Sequence, residues 1–151
     1  MRNKPYMPLV RALIECAQSF ERCSSTHVRA LGLTPSQFDI IATLGNTNGM
    51  TCKELGEKTL ITKGTMTGVL NRLEMKGLLS RDQSPEDGRS WITRLTQEGQ
   101  ALFEDIFPRH LAHLEPLFAS FSDSELNNMQ IHLNRLRLAF ESISIVGREI
   151  R

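Results

Sequence analysis

Apolar residues recur at helical spacing along most of this chain, and helix-capping residues mark where three of the predicted helices begin. A hydroxyl residue followed three positions later by Glu or Gln forms a capping box, because the two side chains satisfy backbone N–H groups at the helix start. This pattern begins at Thr34, Thr51 and Ser122. It predicts helices from Pro35 to about Leu44, from Thr51 to about Lys58, and onward from Ser122.

Two longer stretches carry apolar residues at the same period. One runs from Pro8 to Leu31 and the other from Thr96 to Ser120. The second contains Pro108 and Pro116, and each proline removes a backbone donor and crowds the carbonyl four residues earlier. We expect that helix to bend or break at the prolines.

The segment from Thr62 to Met75 has two different faces when drawn as a helix. One face carries Met66, Val69, Leu70 and Leu73, and the opposite face carries Gly64, Thr65, Thr67, Gly68, Asn71 and Arg72. Gly and Thr lower helix stability, so their presence on the polar face indicates that this face has a function other than stabilising the helix. Small side chains allow a helix to approach the major groove of DNA, where hydroxyl and amide groups bond base edges or phosphates. The alternative is an ordinary helix with a poor surface.

A hairpin is predicted directly after this helix. Strands from Leu78 to Gln83 and from Ser90 to Leu95 flank the turn residues Ser84-Pro85-Glu86-Asp87-Gly88. Arg89 follows the turn, where its guanidinium could enter a DNA minor groove beside the helix. Asp87 could pair with Arg89 or Arg72 and fix its pose. The alternative is that this Asp-Gly-Arg tip only turns the chain.

These motifs together resemble the MarR family of transcriptional regulators, over about residues 31 to 99. The matching segments are Leu-Gly-Leu-Thr-Pro-Ser-Gln-Phe at 31 to 38, Lys53-Glu54-Leu55, Thr62 to Leu73, Arg72-Leu73-Glu74 with Lys76-Gly77-Leu78, Asp87-Gly88-Arg89, and Leu95-Thr96 followed by Gly99. The resemblance implies a mainly α (α+β) fold, a winged helix-turn-helix with long N- and C-terminal dimerisation helices and a two-stranded β-wing. Gly88 is a departure, because many members carry Arg or Lys there, and it removes one phosphate contact from each wing.

The resemblance also implies one domain over residues 1–151, with dimerisation helices in 1–32 and 97–151 and a DNA-binding lobe in 33–96. Within that lobe it implies a recognition helix from Thr62 to Met75 and a wing from Leu79 to Leu95. Many members of the family also have a small-molecule pocket between the lobes, so the resemblance implies such a pocket here. A dimer has independent support in the apolar stripe of the last helix, formed by Leu126, Met129, Leu133, Leu136, Phe140 and Ile143. The alternative is that such stripes form a monomer core.

We therefore predict a sequence-specific regulator, a repressor rather than an activator, that binds double-stranded DNA as a homodimer. This hypothesis includes a near-palindromic operator. It also includes release of the protein from DNA by a phenolic-type small molecule or an oxidant. The candidate DNA-binding residues are Thr62, Lys63, Gly64, Thr65, Thr67, Gly68, Asn71, Arg72, Arg89 and Ser90, with Asp87 supporting the wing. The rival hypothesis is a winged-helix dimer that docks a partner protein without binding DNA, and the Thr- and Gly-lined face argues against it.

Charge and hydropathy add to this interpretation. The 151 residues have a net charge of +1, but residues 53 to 94 carry eight basic against six acidic groups while residues 95 to 151 carry five against eight. Such asymmetry can orient a protein on a polyanion. No apolar run approaches the roughly 20 residues of a membrane span, and no secretory signal is evident, so we expect a cytoplasmic protein without membrane contact.

Cysteine, histidine and catalytic motifs complete the sequence evidence. Cys16, Cys23 and Cys52 are candidate redox residues, although small buried hydrophobes are the commoner role of cytosolic Cys. Cys16 and Cys23 would lie about 10 Å apart on one helix, too far for a disulfide within a subunit. His110 and His113 share a helix face, but His27 and His132 look isolated and no metal site is predicted. The sequence contains no nucleophile, phosphate-binding or dinucleotide-binding motif. We therefore expect neither catalytic activity nor a bound cofactor.

Overall fold

The computed structural model describes residues 4–85 and 88–146, and the side chains among them through residue 142. The elements in chain order are α1 (Met7–Ala30), α2 (Pro35–Leu44), β1 (Met50–Thr51), α3 (Cys52–Lys58), α4 (Lys63–Met75), β2 (Leu79–Gln83), β3 (Trp91–Leu95), α5 (Gln97–Phe118) and α6 (Asp123–Val146). The chain forms two compact units, Met1–His113 and Leu114–Arg151. The first contains the helix-turn-helix and the sheet, and the second contains the end of α5 and all of α6.

Capping boxes fix the starts of α2, α3 and α6, as predicted. The N–H of Gln37 donates to Thr34 Oγ1 at 3.2 Å, and the N–H of Glu54 donates to Thr51 Oγ1 at 3.2 Å. At α6 the N–H of Glu125 donates to Ser122 Oγ at 3.3 Å. In each case the Glu or Gln side chain accepts the N–H of the capping residue in return. Local sequence alone therefore determines where these three helices begin.

The helix predicted to bend or break at its prolines does not break, because α5 continues from Gln97 to Phe118 through Pro108 and Pro116. Each proline costs one backbone hydrogen bond and some crowding. The same helix buries Phe103, Ile106 and His110, and the burial of a large apolar side chain contributes about 1.5–3 kcal/mol. Packing of this face outweighs the local cost.

The inner face of α4 lies in the hydrophobic core. Met66, Val69, Leu70 and Leu73 are all buried, as the sequence predicted. They pack with residues of α2 and α3 in one core cluster, whose most completely buried members include Ile40, Ile41, Leu44 and Leu55. This packing fixes the rotation of α4 about its axis and turns its polar face away from the core.

Three antiparallel strands form the sheet, in the order β1-β3-β2. Leu79 pairs with Leu95 at the base of the β2–β3 hairpin, and Gln83 pairs with Trp91 towards its tip. β1 adds a third strand beyond the predicted two, with Met50 opposite Thr93. Its two residues are too few to give a detectable alternation in the sequence.

The base of the hairpin is held between the end of α4 and the start of α5. Gly77 has φ +72°, a left-handed conformation that favours glycine and ends α4. The Thr96 hydroxyl donates to the Gly77 carbonyl at 2.6 Å. A Cβ at Gly99 would overlap the Leu78 carbonyl, so α5 approaches the hairpin at a distance that only glycine allows. The hairpin direction is therefore set relative to α4.

Candidate nucleic-acid interface

The outer face of α4 is exposed along its length. The residues predicted to face DNA on this helix and its cap are all exposed, namely Thr62, Lys63, Gly64, Thr65, Thr67, Gly68, Asn71 and Arg72. A Cβ added at Gly64 or Gly68 would meet no atom within 4 Å. Packing against the described part of the chain therefore does not require these two glycines, and they leave a low surface between the Thr and Asn side chains.

The start of α4 lacks a side-chain cap. Thr62 occupies the N-cap position, but its side chain accepts no backbone N–H and instead donates to Thr65 Oγ1 at 3.2 Å. The backbone carbonyl of Thr62 accepts from the N–H groups of Thr65 and Met66. Lys63 begins the helix. The positive end of the helix dipole and a lysine ammonium therefore lie together at an exposed surface that suits an anion.

Arg81 on β2 connects the hairpin to α4. Its Nη2 donates to Asn71 Oδ1 at 2.9 Å and also pairs with the carboxylate of Glu74. The hydrogen bond from Arg81 lowers the pKa of the Glu74 carboxyl, so Glu74 stays ionised at neutral pH. With Oδ1 engaged, Asn71 keeps its amide N–H groups as donors on the exposed face.

The sequence interpretation did not identify Arg81 or Glu74. A usable signal was present, because Arg81 is the middle residue of a five-residue strand that follows α4 after a tight turn. A long cationic side chain at that position can reach back to the last turns of the preceding helix. The pairing is a property of the tertiary arrangement, and sequence spacing alone does not specify it.

The hairpin tip carries the other predicted residues. Arg89 is exposed and Ser90 is partly buried. The N–H of Ser84 donates to the Ser90 carbonyl at 2.7 Å, and Gln83 Nε2 donates to the Gly88 carbonyl at 2.6 Å. These bonds extend the pairing beyond the strands. Asp87 lies outside the described residues, so its support of the wing remains a prediction.

A cavity of about 690 Å³ lies in the unit Met1–His113, beside the start of α4. Residues of α1, α2, α4 and α5 line it, together with the α3–α4 loop. They include Phe20, Phe38 and Ile61 among the apolar side chains and Thr62, Thr65 and His110 among the polar ones. Because Thr62 and Thr65 also belong to the predicted DNA-binding face, a ligand in the cavity would contact the first turn of α4.

Three histidines cluster between α1 and α5, which corrects the expectation that His27 is isolated. His27 Nδ1 and His110 Nδ1 are 3.0 Å apart, and the rings of His27 and His113 stack with centroids 4.1 Å apart. Burial lowers the pKa of His110 and of His27, and the neighbouring imidazoles lower both further. Among the described residues, no group of three or more His, Cys, Asp or Glu side chains could hold a metal ion.

The cysteines are free thiols, with Cys16 and Cys52 exposed and Cys23 partly buried. Cys23 Sγ lies 3.5 Å from His113 Nε2, a neighbour that the sequence interpretation did not foresee because the two residues are far apart in the chain. A redox role for Cys16, Cys23 or Cys52 remains a prediction. None of the described helices is long and apolar enough to cross a bilayer.

Comparison with known proteins identifies the family. Residues 33–99 match the model of the MarR family. HTH-type transcriptional regulator MhqR of Bacillus subtilis (strain 168) is 32% identical over 112 residues, which cover 74% of this chain and 77% of that protein.

Solved structures share the fold. NadR in complex with 4-hydroxyphenylacetate superposes with a TM-score of 0.76 at 21% identity, covering 90% of this chain and 96% of NadR. The S. aureus MepR–DNA complex superposes with a TM-score of 0.72 at 20% identity, covering 91% of this chain and 99% of that one. With the exposed face of α4 and the hairpin that Arg81 ties to it, these similarities show that the chain belongs to the MarR family of DNA-binding, helix-turn-helix transcriptional regulators.

Proposed function

We propose that this regulator is a homodimeric repressor, which binds a near-palindromic site on double-stranded DNA and is released by a small ligand. The observation that carries the proposal is the exposed polar face of α4, whose glycines leave space that no other part of the described chain fills. A dimer that covers a promoter would block transcription by occupying it. The MepR–DNA complex, which has the same fold, supports DNA as the partner.

In this proposal α4 enters the major groove. Thr65, Thr67 and Asn71 bond base edges, and Lys63 with the uncapped start of the helix binds a phosphate. Gly64 and Gly68 allow the backbone to approach, while Thr62 and Arg72 contact phosphates at the groove edges. Arg89 enters the adjacent minor groove from the hairpin tip, with Ser90 beside it.

Apolar side chains exposed on the long helices support a dimer. On α1 these include Leu9 at 54%, Ile14 at 52% and Phe20 at 49% exposure, and on α6 they include Leu133 at 55%. Monomeric soluble proteins rarely expose so much apolar surface along one helix. We propose that residues 1–32 and 97–151 form the dimer interface and that residues 33–96 form the DNA-binding lobe, which agrees with the extent of the family match.

The position of the cavity explains how a bound ligand would release the protein from DNA. A molecule that occupies it would contact Thr62 and Thr65, so ligand affinity and DNA affinity are thermodynamically linked. NadR, a fold relative, binds the aromatic 4-hydroxyphenylacetate. We infer that this chain also responds to a small aromatic molecule.

The test is a binding titration with DNA selected by the purified protein from a random pool. Trp91 is the one tryptophan of the chain and lies exposed on the hairpin, so its fluorescence reports contact with DNA. Affinity should fall steeply with salt, because each phosphate contact releases counterions. A flat salt response with no selected sequence would contradict the proposal and favour the rival protein-docking function.

A further inference from the structure

We propose that the cavity beside α4 binds an aromatic cation in preference to an aromatic carboxylate. This inference rests on the proposed function, in which a small molecule in this cavity releases DNA. It concerns the charge of that molecule, which the family resemblance leaves open.

The charge of the cavity wall is the first observation. Among the described residues that line the cavity, Glu21 and Asp39 are acidic and none is Lys or Arg. His110, the remaining titratable group of the lining, has its pKa lowered by burial and is neutral at physiological pH. The charged side chains of the lining are therefore both carboxylates, and Lys63 at the start of α4 is not among the lining residues.

Asp39 is the more buried of the two acidic residues in the lining. It is half-buried on α2, and its Oδ2 accepts the backbone N–H of Leu60 at 3.2 Å. Burial raises the pKa of this carboxyl, which means that the surroundings stabilise its charge less well than water does. A ligand cation in the cavity would stabilise the charge of this carboxylate, and it would do so in a medium less polar than water.

The apolar lining suits an aromatic body. Phe20 and Phe38 contribute aromatic side chains, and Ala17, Val28 and Ile61 contribute aliphatic ones. Aromatic faces attract cations through the ring quadrupole as well as burying apolar area. The volume of about 690 Å³ lies within the usual range of small-molecule pockets.

A carboxylate ligand fits this lining poorly. It would lose hydration beside Glu21 and Asp39, and burying a charge without a partner is costly. The Ser24, Ser25 and Ser36 hydroxyls of the lining can donate hydrogen bonds but carry no charge. The cavity therefore discriminates by charge and not by shape alone.

Three ligands with one ring system separate charge from size. Naphthylmethylammonium, naphthylmethanol and naphthylacetate are titrated into the full chain by calorimetry. We expect the ammonium compound to bind about tenfold more tightly than the carboxylate, with the alcohol between them. Asp39→Asn and Glu21→Gln should each weaken ammonium binding by about three- to tenfold and change alcohol binding less than twofold.

Glu98→Gln is the matched control, because it removes one negative charge at an exposed residue of α5 that does not line the cavity. Thermal unfolding of each variant checks that it is folded. The proposal is overturned if the carboxylate binds as tightly as the ammonium compound, if none of the three binds, or if both cavity variants behave like Glu98→Gln. DNA titration of the same samples separates the two proposals: intact DNA binding without charge preference overturns this inference alone, whereas absent DNA binding contradicts the regulator itself.

Discussion

The side chain of Arg81 on β2 donates a hydrogen bond to Asn71 on α4, across 2.9 Å between Nη2 and Oδ1. The same guanidinium pairs with Glu74 one turn further along α4. Two elements that the proposal places in different DNA grooves are therefore joined by a single side chain. Arg81 fixes which way the Asn71 amide faces, and so it acts on DNA recognition without lying on the recognition helix.

Replacing Arg81 should weaken DNA binding through Asn71. We expect Arg81→Met to reduce affinity by about tenfold, because a mispositioned amide loses its bond to a base edge. In a double-mutant cycle, Asn71→Ala should cost much less in the Arg81→Met background than in the wild type. Additive losses, measured by DNA titration, would show that Arg81 and Asn71 act independently. Glu74→Gln serves as a comparison that leaves the Arg81–Asn71 bond in place.

Replacing Gly68 with alanine separates stability from recognition. Gly68→Ala should raise the free energy of unfolding by about 0.5–1 kcal/mol, because alanine favours helix and no atom of the described residues obstructs the new methyl group. DNA affinity should nevertheless fall, since the methyl group occupies the space left for the groove. Gly56→Ala on α3 is the control, as it also meets no atom within 4 Å. Equal DNA affinity for Gly68→Ala and Gly56→Ala would remove this role from Gly68.

The hairpin tip should contribute through charge. Arg89→Ala should weaken operator binding by about tenfold and make the dependence of affinity on salt less steep, because a contact in the DNA groove is lost. Its free energy of unfolding should change by less than about 1 kcal/mol, because Arg89 is exposed and interactions of exposed charged groups contribute little to stability. Lys58→Ala removes one positive charge at an exposed residue of α3 that is not among the predicted DNA-binding residues. Indistinguishable affinities for the two variants would exclude Arg89 from the interface.

Acidification should destabilise the first unit through its histidine cluster. Burial and neighbouring imidazoles hold the pKa of His110 below the ordinary histidine value of 6.5, and the pKa of His27 is lowered as well. The folded state therefore favours neutral rings, while the unfolded chain takes up protons as the pH falls below about 6.5. The histidine cluster therefore leaves the free energy of unfolding unchanged above that pH and lowers it as the pH falls further.

Urea unfolding at about pH 8 and about pH 5.5 tests this expectation, in a range above the ordinary carboxyl pKa values. The free energy of unfolding should be lower at the acidic pH, and His110→Gln should reduce the difference. A wild-type stability that is equal or higher at the acidic pH would contradict it.

Local sequence predicted those features of the fold that depend on neighbours in the chain. Capping boxes at Thr34, Thr51 and Ser122 specified three helix starts, and the apolar period of α4 specified which face is buried. The outward direction of the predicted DNA-binding residues on α4 followed from that period. No break occurs at Pro108 of α5, because burial of Phe103 and Ile106 offsets a local cost that periodicity cannot weigh.

The remaining features depend on residues that only the tertiary structure brings together. Arg81 meets Asn71 across a turn, and His27 meets His110 and His113 from more than eighty positions away. The short β1 is recognisable only through its pairing with β3. The two acidic residues that line the cavity, Glu21 and Asp39, likewise come from different helices, α1 and α2.

The most direct test of the account is hydroxyl-radical footprinting of the protein on DNA that it selects from a random pool. We predict protection of two symmetric half-sites about 34 Å apart, one turn of the double helix, with a minor-groove contact flanking each. The pattern should weaken in Arg81→Met and Gly68→Ala and persist in Gly56→Ala. Protection of one unsymmetrical segment, or no protection at low salt, would contradict the proposal that two copies of α4 read the DNA.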